Sequence, residues 1–445
     1  MSLTRLAGTR ALPAMGWAGL GALLLWLMLG DLGVSMRDRA ALPSALEMLR
    51  QHAVSDTVTS LLLSTVPAVL SLLLVPLLGH YSDRCRSRLG RRTPFLLAAA
   101  PIGGLAMLGL AAAPALAGML HDALGDKSPG LQACRLAMFC LFWTAFSCAA
   151  IGAHSLFHGL VNDLVPARLL GRFFAAFRIV SLSAGIAYHN WIFALTEQHL
   201  GEVLIGVGLL FGLPILAMAL TVKEAPLAPD AAPAAEPPPR HGIPLRHVFD
   251  CFRDRRYGWA VAAFVLAGVT FSPFNTFYLH YAHAAGVEKS TLGALTAAGY
   301  AVSIASAFAI GWLADRFGAL RISTLTMLAY CAASACGFAT VSDAASFRAF
   351  YFVHVVVSGA WFTAAASLPM ALFARASFVQ LNATKDLMAM FGLIFVSTVQ
   401  GPLLDLLEHD YRFTLLAGAS FSLLCLACLA RLQTGRHATT TVAAH

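Results

Sequence analysis

The sequence has little charge. Only 12% of its 445 residues are Asp, Glu, Lys or Arg, while 58% are hydrophobic. A soluble domain carries about 25% charged residues. A water-soluble fold is therefore excluded. Alternating polar and apolar stretches of about 10 residues are missing, which excludes a transmembrane β-barrel. No Gly-x-x-x-x-Gly-Lys loop occurs, so ATP hydrolysis by a P-loop is not expected. No catalytic constellation is evident, and an enzyme is not expected. The C-x-x-C of Cys425 and Cys428 has no second pair and lies in the last apolar run. The nine cysteines are read as small core residues, and no metal site is expected. No small-residue cleavage site follows the first apolar run, so no cleavable signal peptide is expected.

What is present is a series of long apolar runs. About 20 such residues suffice to cross a bilayer as a helix. The runs predict twelve helices, with cores at 15–36, 57–78, 95–117, 133–160, 173–196, 202–222, 258–282, 290–313, 322–341, 347–373, 385–404 and 412–432. The fold class is an all-α polytopic membrane protein. The net charge of +8 does not imply nucleic acid as a partner, because basic residues collect in cytoplasmic loops. With the N-terminus inside, the inner segments hold 21 of the 30 Lys and Arg and the outer segments 8, with Arg178 inside a helix. Both termini are therefore expected to be cytoplasmic.

Residues 223–244, KEAPLAPDAAPAAEPPPRHGIP, form the longest polar stretch. Pro and Ala in this proportion cannot build a core, and the segment reads as an extended linker. The basic segment after it, LRHVFDCFRDRRYG, reads as an amphipathic helix on the membrane surface. The expected organisation is a six-helix bundle over 1–222, a cytoplasmic linker and basic segment over 223–257, a second bundle over 258–432 and a tail over 433–445.

Charge concentrates in GHYSDRCRSRLGRRTP, residues 79–94. Gly79 closes predicted helix two, where a side chain would obstruct a neighbouring helix. Asp83 can accept hydrogen bonds from backbone N–H groups at a helix N-terminus, or pair with arginine. Arg84, Arg88, Arg91 and Arg92 can reach helix C-termini, acidic side chains or lipid phosphates. Contacts that form and break as the inner helix ends meet and part would act as a latch. Gly-x-x-x-Asp-Arg recurs at Gly311, Asp315 and Arg316, just after the second helix of the other half. VPARLLGRFFA from Val165 and FARASFVQLNA from Phe373 form a weaker pair between the fourth and fifth helices of each half.

The first of these loops, GHYSDRCRSRLGRRTPFL, closely resembles the corresponding loop of the sucrose-transporter family, with Thr93 where that family carries arginine. It is also similar to that of the glycoside–pentoside–hexuronide:cation symporters. NDLVPARLLGRFFAAFR resembles their loop between helices four and five. Both groups belong to the major facilitator superfamily, whose halves are parallel repeats. The resemblance implies two six-helix bundles that rock about a central site. It implies a cytoplasmic gate of Gly79, Asp83, Arg84, Arg88, Gly90, Arg91, Arg92, Asn162, Asp163, Gly171, Arg172, Gly311, Asp315 and Arg316. It further implies a small-molecule substrate of sugar or glycoside type, imported with a proton or other cation across a cell inner membrane by a monomer without a cofactor. Two competing expectations are a proton-antiport exporter of amphipathic compounds and a non-transporting assembly factor of the same fold.

Ionisable residues inside a membrane are costly and face a cavity or a partner. If helix one ends near Met36, Asp31 sits at the outer interface and Arg37, Asp38 and Arg39 form an outer loop. If it continues to about Leu46, Asp31, Ser35 and Asp38 share a face, flanked by Arg37 and Arg39. A carboxylate beside an arginine in a wet cavity suits proton coupling. Arg178 either snorkels to the inner interface or partners an acid or anionic substrate. On helix seven, Asn275 and Tyr278 suit a sugar, and Tyr281 an interfacial aromatic belt. Gln400 faces the cavity or bonds a neighbouring helix. His154 and His158, one turn apart without further ligands in view, are read as packing or inner gate.

Overall fold

In this computed structural model the described residues are 17–165, 167–224, 252, 254–373 and 378–442. They hold twelve helices long and apolar enough to cross a membrane. We number these α1 (Gly19–Gln51), α2 (Asp56–Arg84), α3 (Thr93–Lys127), α4 (Leu131–Leu164), α5 (Arg172–Glu197) and α6 (Leu200–Thr221). The second half supplies α7 (Arg255–Ala284), α8 (Lys289–Phe317), α9 (Ala319–Thr340), α10 (Ala344–Ala365), α11 (Leu381–Leu406) and α12 (Arg412–Thr434). Residues 225–251 and 253, most of the expected linker and basic segment, lie outside the described residues, as do 443–445. The helix of α12 runs on to Val442 through most of the expected tail.

Local signals set the ends. Ser55 caps α2 by accepting from the Val58 N–H at 3.4 Å. Asp343 and Ser346 form a reciprocal capping box before α10. α7 is broken: one helix ends at Thr270 and a second begins at Ser272, with Pro273 in its first turn. Proline suits a helix start because it has no N–H to donate. α1 does not stop at Met36. A π-turn over Arg37–Ala41 carries it on to Gln51, so the longer of the two sequence readings holds. Further π-turns occupy Leu61–Thr65 in α2 and Tyr188–Ile192 in α5. Such turns often mark functional sites.

The chain forms two compact units. One comprises Met1–Met48 and Leu70–Ala234, the other Leu49–Val69 and Ala235–His445. In the first, α3 packs on α4 and α6, and α1 on α5 and α6. In the second, α9 packs on α10 and α12, and α7 on α11 and α12. Adding six to each helix number converts one pattern into the other, as expected of parallel repeats. The second unit also contains the first half of α2, docked on α11.

Small residues make this packing possible. A Cβ at Gly208 would stand 3.0 Å from the Gly104 carbonyl oxygen, and one at Gly212 3.0 Å from that of Ala100. The backbones of α3 and α6 therefore touch along a small-x-x-x-small stripe, where packing rather than water expulsion drives association. In the second unit Ser334 of α9 donates to the Leu415 carbonyl at 3.1 Å, and a Cβ at Gly418 would stand 3.0 Å from its Oγ. Cys425 and Cys428 are buried in the apolar cluster around Tyr257, Phe271, Tyr330 and Trp361.

Candidate functional site

Three polar constellations and one junction interrupt the apolar packing. The first lies in the first unit, around α1. Asp31 is 7% exposed, and its Oδ2 is buried with no hydrogen-bond partner. A carboxyl held this way is costly as an anion. The charge of Arg39 acts on Asp31, on Arg178 and on His189. Arg39 Nε also donates to Ser181 Oγ of α5 at 3.0 Å. Past the π-turn, Ser44 shares a 2.7 Å hydrogen bond with Tyr188, and Glu47 is fully buried. Asp38 does not join Asp31. It is exposed, with Arg37 Nη1 3.9 Å away. Ser35 donates to its own helix, at Leu32 O.

The second constellation lies in the second unit. Asn275 is exposed one turn past the break in α7. Its Oδ1 accepts from Nε2 of buried His354 at 2.9 Å, and His354 Nδ1 meets the Tyr330 hydroxyl at 3.0 Å. This chain orients the Asn275 amide. Tyr278 stacks on Tyr351 with ring centroids 5.8 Å apart, and Tyr351 bonds Thr296. Tyr281 is no interfacial belt residue. It is buried, with Phe347 at 4.9 Å. Gln400 bonds neighbouring helices, donating to Ser60 and Thr276 at 3.2 Å each.

The third constellation is the basic loop between α2 and α3. Asp163 Oδ2 accepts from Arg91 Nη2 and from Arg92 Nε, each at 2.7 Å. Arg92 Nη2 stands 3.5 Å from Asp83. The expected acceptor of helix N-terminal N–H groups is not Asp83 but Glu224, just past α6. Its Oε2 accepts from the Arg92 N–H at 2.8 Å and the Thr93 N–H at 3.4 Å. Glu224 packs against Gly90, whose φ of +108° and lack of Cβ let it approach. Arg91 lies outside the spans. Burial alone would lower its pKa, but the hydrogen bond and charge of Asp163, with Asp83 and Glu224, raise it above the usual value. Arg84, Arg88, Asn162 and Arg172 are exposed. The side-chain surroundings of residue 171 lie outside the described residues. A Cβ at Gly79 or Gly311 would meet nothing within 4 Å, so the close helix approach expected there is not found. Asp315 is exposed, and Arg316 lies 5.1 Å over the Trp312 ring.

The last is a junction at the start of α2. Asp56, Asp405 and His409 are the only group of three carboxylate or imidazole residues close enough to share an ion among the described residues. Their atoms are committed to one another and to backbone N–H groups, so the group reads as a polar joint rather than a metal centre. The rings of His154 and His158 lie 4.3 Å apart, tilted by 42°, and His158 Nδ1 bonds the His154 carbonyl.

The family model for MFS/sugar transport protein matches residues 50–377. The chain belongs to this major facilitator family. It is a membrane transporter, not an enzyme. Solved major facilitator transporters share its fold. The nucleoside transporter NupG is 15% identical with a TM-score of 0.67, covering 92% of this chain and 98% of its own. A D-xylose-proton symporter is 17% identical with a TM-score of 0.64, covering 91% and 97%. An inward-facing bacterial homologue of the iron transporter ferroportin is 16% identical with a TM-score of 0.64, covering 94% and 99%.

Arg39 was read as flanking the Asp31 face, whereas Glu47, Tyr188, His354 and Glu224 were not singled out from the sequence. The longer reading of helix one ended at about Leu46, just short of Glu47, which the structure places inside α1. For Asp83→Asn we expect folding to change by less than about 1 kcal/mol, because exposed pairs contribute little. Transport should slow, as one arm of the loop network is lost. Thermal melting together with initial uptake rate checks this; normal uptake would remove Asp83 from the gate.

Proposed function

We propose that this major facilitator transporter imports a sugar or glycoside together with a proton, by alternating access, across a bacterial-type inner membrane with both termini cytoplasmic. The observation that carries the reading is Asp31, membrane-buried with an unpartnered oxygen within range of the Arg39 charge. Protonation neutralises the acid and removes its attraction to the Arg39 charge. Deprotonation restores that attraction. Two conformations that differ in solvent access to Asp31 would couple that exchange to substrate movement.

The sugar assignment draws on the sugar-transport family and on Asn275 and Tyr278, a directed amide beside an aromatic face. Sugars are bound by such combinations of hydrogen bonds and ring stacking. Asn275→Ala should raise the KM for substrate about tenfold, the value of one hydrogen bond, with kcat little changed. An unchanged KM would remove Asn275 from the site.

Counterflow tests the substrate class. Proteoliposomes preloaded with unlabelled sugars, glycosides or nucleosides are given the labelled compound at trace level. Accumulation of a sugar or glycoside supports the reading. Accumulation of nucleosides alone would overturn it.

A further inference from the structure

The first half of α2 is fastened to the second unit by an unusual density of polar contacts. Asp405, near the end of α11, accepts from the Asp56 N–H and the Thr57 N–H, each at 3.0 Å, and from the Thr57 hydroxyl. It thus caps a helix 348 residues away in sequence. Further along the seam, Ser60 Oγ donates to the Ser397 carbonyl, and Thr65 bonds Ser397 at 3.0 Å. A Cβ at Gly401 would stand 2.7 Å from the Asp56 carbonyl oxygen and the Thr57 Cα, so the two backbones are in contact.

The side chain of Asp56 closes this joint. It is 2% exposed and accepts from His409 Nδ1 at 2.7 Å and from the Tyr411 hydroxyl at 3.2 Å. His409 itself is half-exposed. It sits in a backbone that favours glycine: Glu408 has φ +53° and His409 φ +61°. Consecutive non-glycine residues in this region cost energy and persist where surrounding contacts hold them. The contact between His409 and Asp56 is placed to do so.

We propose that this junction is a pH-sensitive latch, in which protonated His409 fastens the N-terminal end of α2 to the turn between α11 and α12, and loss of that proton releases it. The groups facing His409 are Asp56 of α2, Asp405 of α11 and Tyr411 of the turn, while Asp410, next in the turn, is engaged by Arg412. Behind Tyr411 stand Arg412 of α12 and His280 and Tyr281 of α7. Arg412 is engaged with Asp410 at 2.7 Å. The net field at the imidazole is therefore acidic. The hydrogen bond to Asp56 raises the His409 pKa above its usual value, against a smaller effect of burial, with the charges of Asp56 and Asp405 adding to the rise.

A raised histidine pKa gives the latch its sign. Its contribution is complete below about pH 6.5, the ordinary value, and is lost as pH rises through the raised one. The working window lies above that ordinary value. On the orientation proposed above, the turn faces outside. An acid exterior then holds the seam shut and an alkaline one loosens it.

Hydrogen–deuterium exchange reads the latch without any substrate, so it is independent of the proposed transport activity. The full chain in lipid nanodiscs is compared at about pH 6 and about pH 8.5, corrected for intrinsic exchange rates. The amides of Asp56 and Thr57 should lose about fivefold in protection, less than a fully buried charged hydrogen bond would give, because His409 is half-exposed. α9 should not change. His409→Gln should show the weaker protection at both pH values. Equal wild-type protection at both would overturn the proposal, whatever the variant does. So would an undiminished pH dependence in His409→Gln, which would assign the titration to a carboxylate.

Discussion

Asp31→Asn should abolish uptake driven by a proton gradient while sparing substrate exchange. The substitution keeps the shape and leaves a neutral amide where the acid cycles between charged and neutral. Asp31 is 7% exposed, so no water shell replaces a lost charge. Gradient-driven accumulation should fall roughly a hundredfold or more. Exchange of labelled for unlabelled substrate needs no net proton movement, and it should continue within about threefold of wild type. Retained accumulation with unaltered pH dependence would remove Asp31 from the coupling mechanism.

Glu224→Ala should give the largest loss of stability among changes at the charged loop. Glu224 is buried, and one of its oxygens serves two N–H groups at the start of α3. The other lies 3.6 Å from Arg91 Nε. Truncation leaves those N–H groups without their acceptor and opens a gap beside Gly90. A buried group stranded in this way costs about 1–3 kcal/mol, and more when its partner is charged. For a unit of this size the melting temperature should drop by about 5 °C or more. Glu224→Gln keeps an acceptor oxygen and should recover part of the loss. Melting in detergent, followed by intrinsic fluorescence, checks both. An unchanged melting temperature in the alanine variant would mean that the loop is held by Asp163 alone.

Much of the fold was legible because a bilayer demands it. A helix core read at 133–160 became Leu131–Leu164, and one read at 202–222 became Leu200–Thr221. The exact end of α1 was not legible. Arg37, Asp38 and Arg39 look like a loop until Arg39 is seen to reach Ser181. That partner is 142 residues away. Glu224 was hidden for a different reason. It stands at the mouth of a Pro/Ala-rich stretch, and composition alone marks that stretch as linker. The joint of Asp56, Asp405 and His409 carried no local signal, since its partners come from opposite halves of the sequence. Gly79 and Gly311 were legible as a repeated motif, yet open space around them shows that a repeat does not reveal what each position touches.

Asn275 makes the same point from the other side. Its residue type and its place on α7 were readable. The buried pair that orients it was not, because His354 and Tyr330 lie on α10 and α9 and look like ordinary core residues. Chemistry at a membrane site depends on which side chains stand behind the one that meets the substrate.

The most direct test of the central claim is charge movement. Proteoliposomes on a sensor-supported membrane are exposed to a panel of sugars and glycosides at two pH values, beside empty liposomes and the Asp31→Asn variant. The account predicts a substrate-specific inward positive current that grows at acid pH, is absent from empty liposomes and is lost in the variant. A substrate-driven current of equal size at both pH values, persisting in Asp31→Asn, would contradict proton coupling at Asp31.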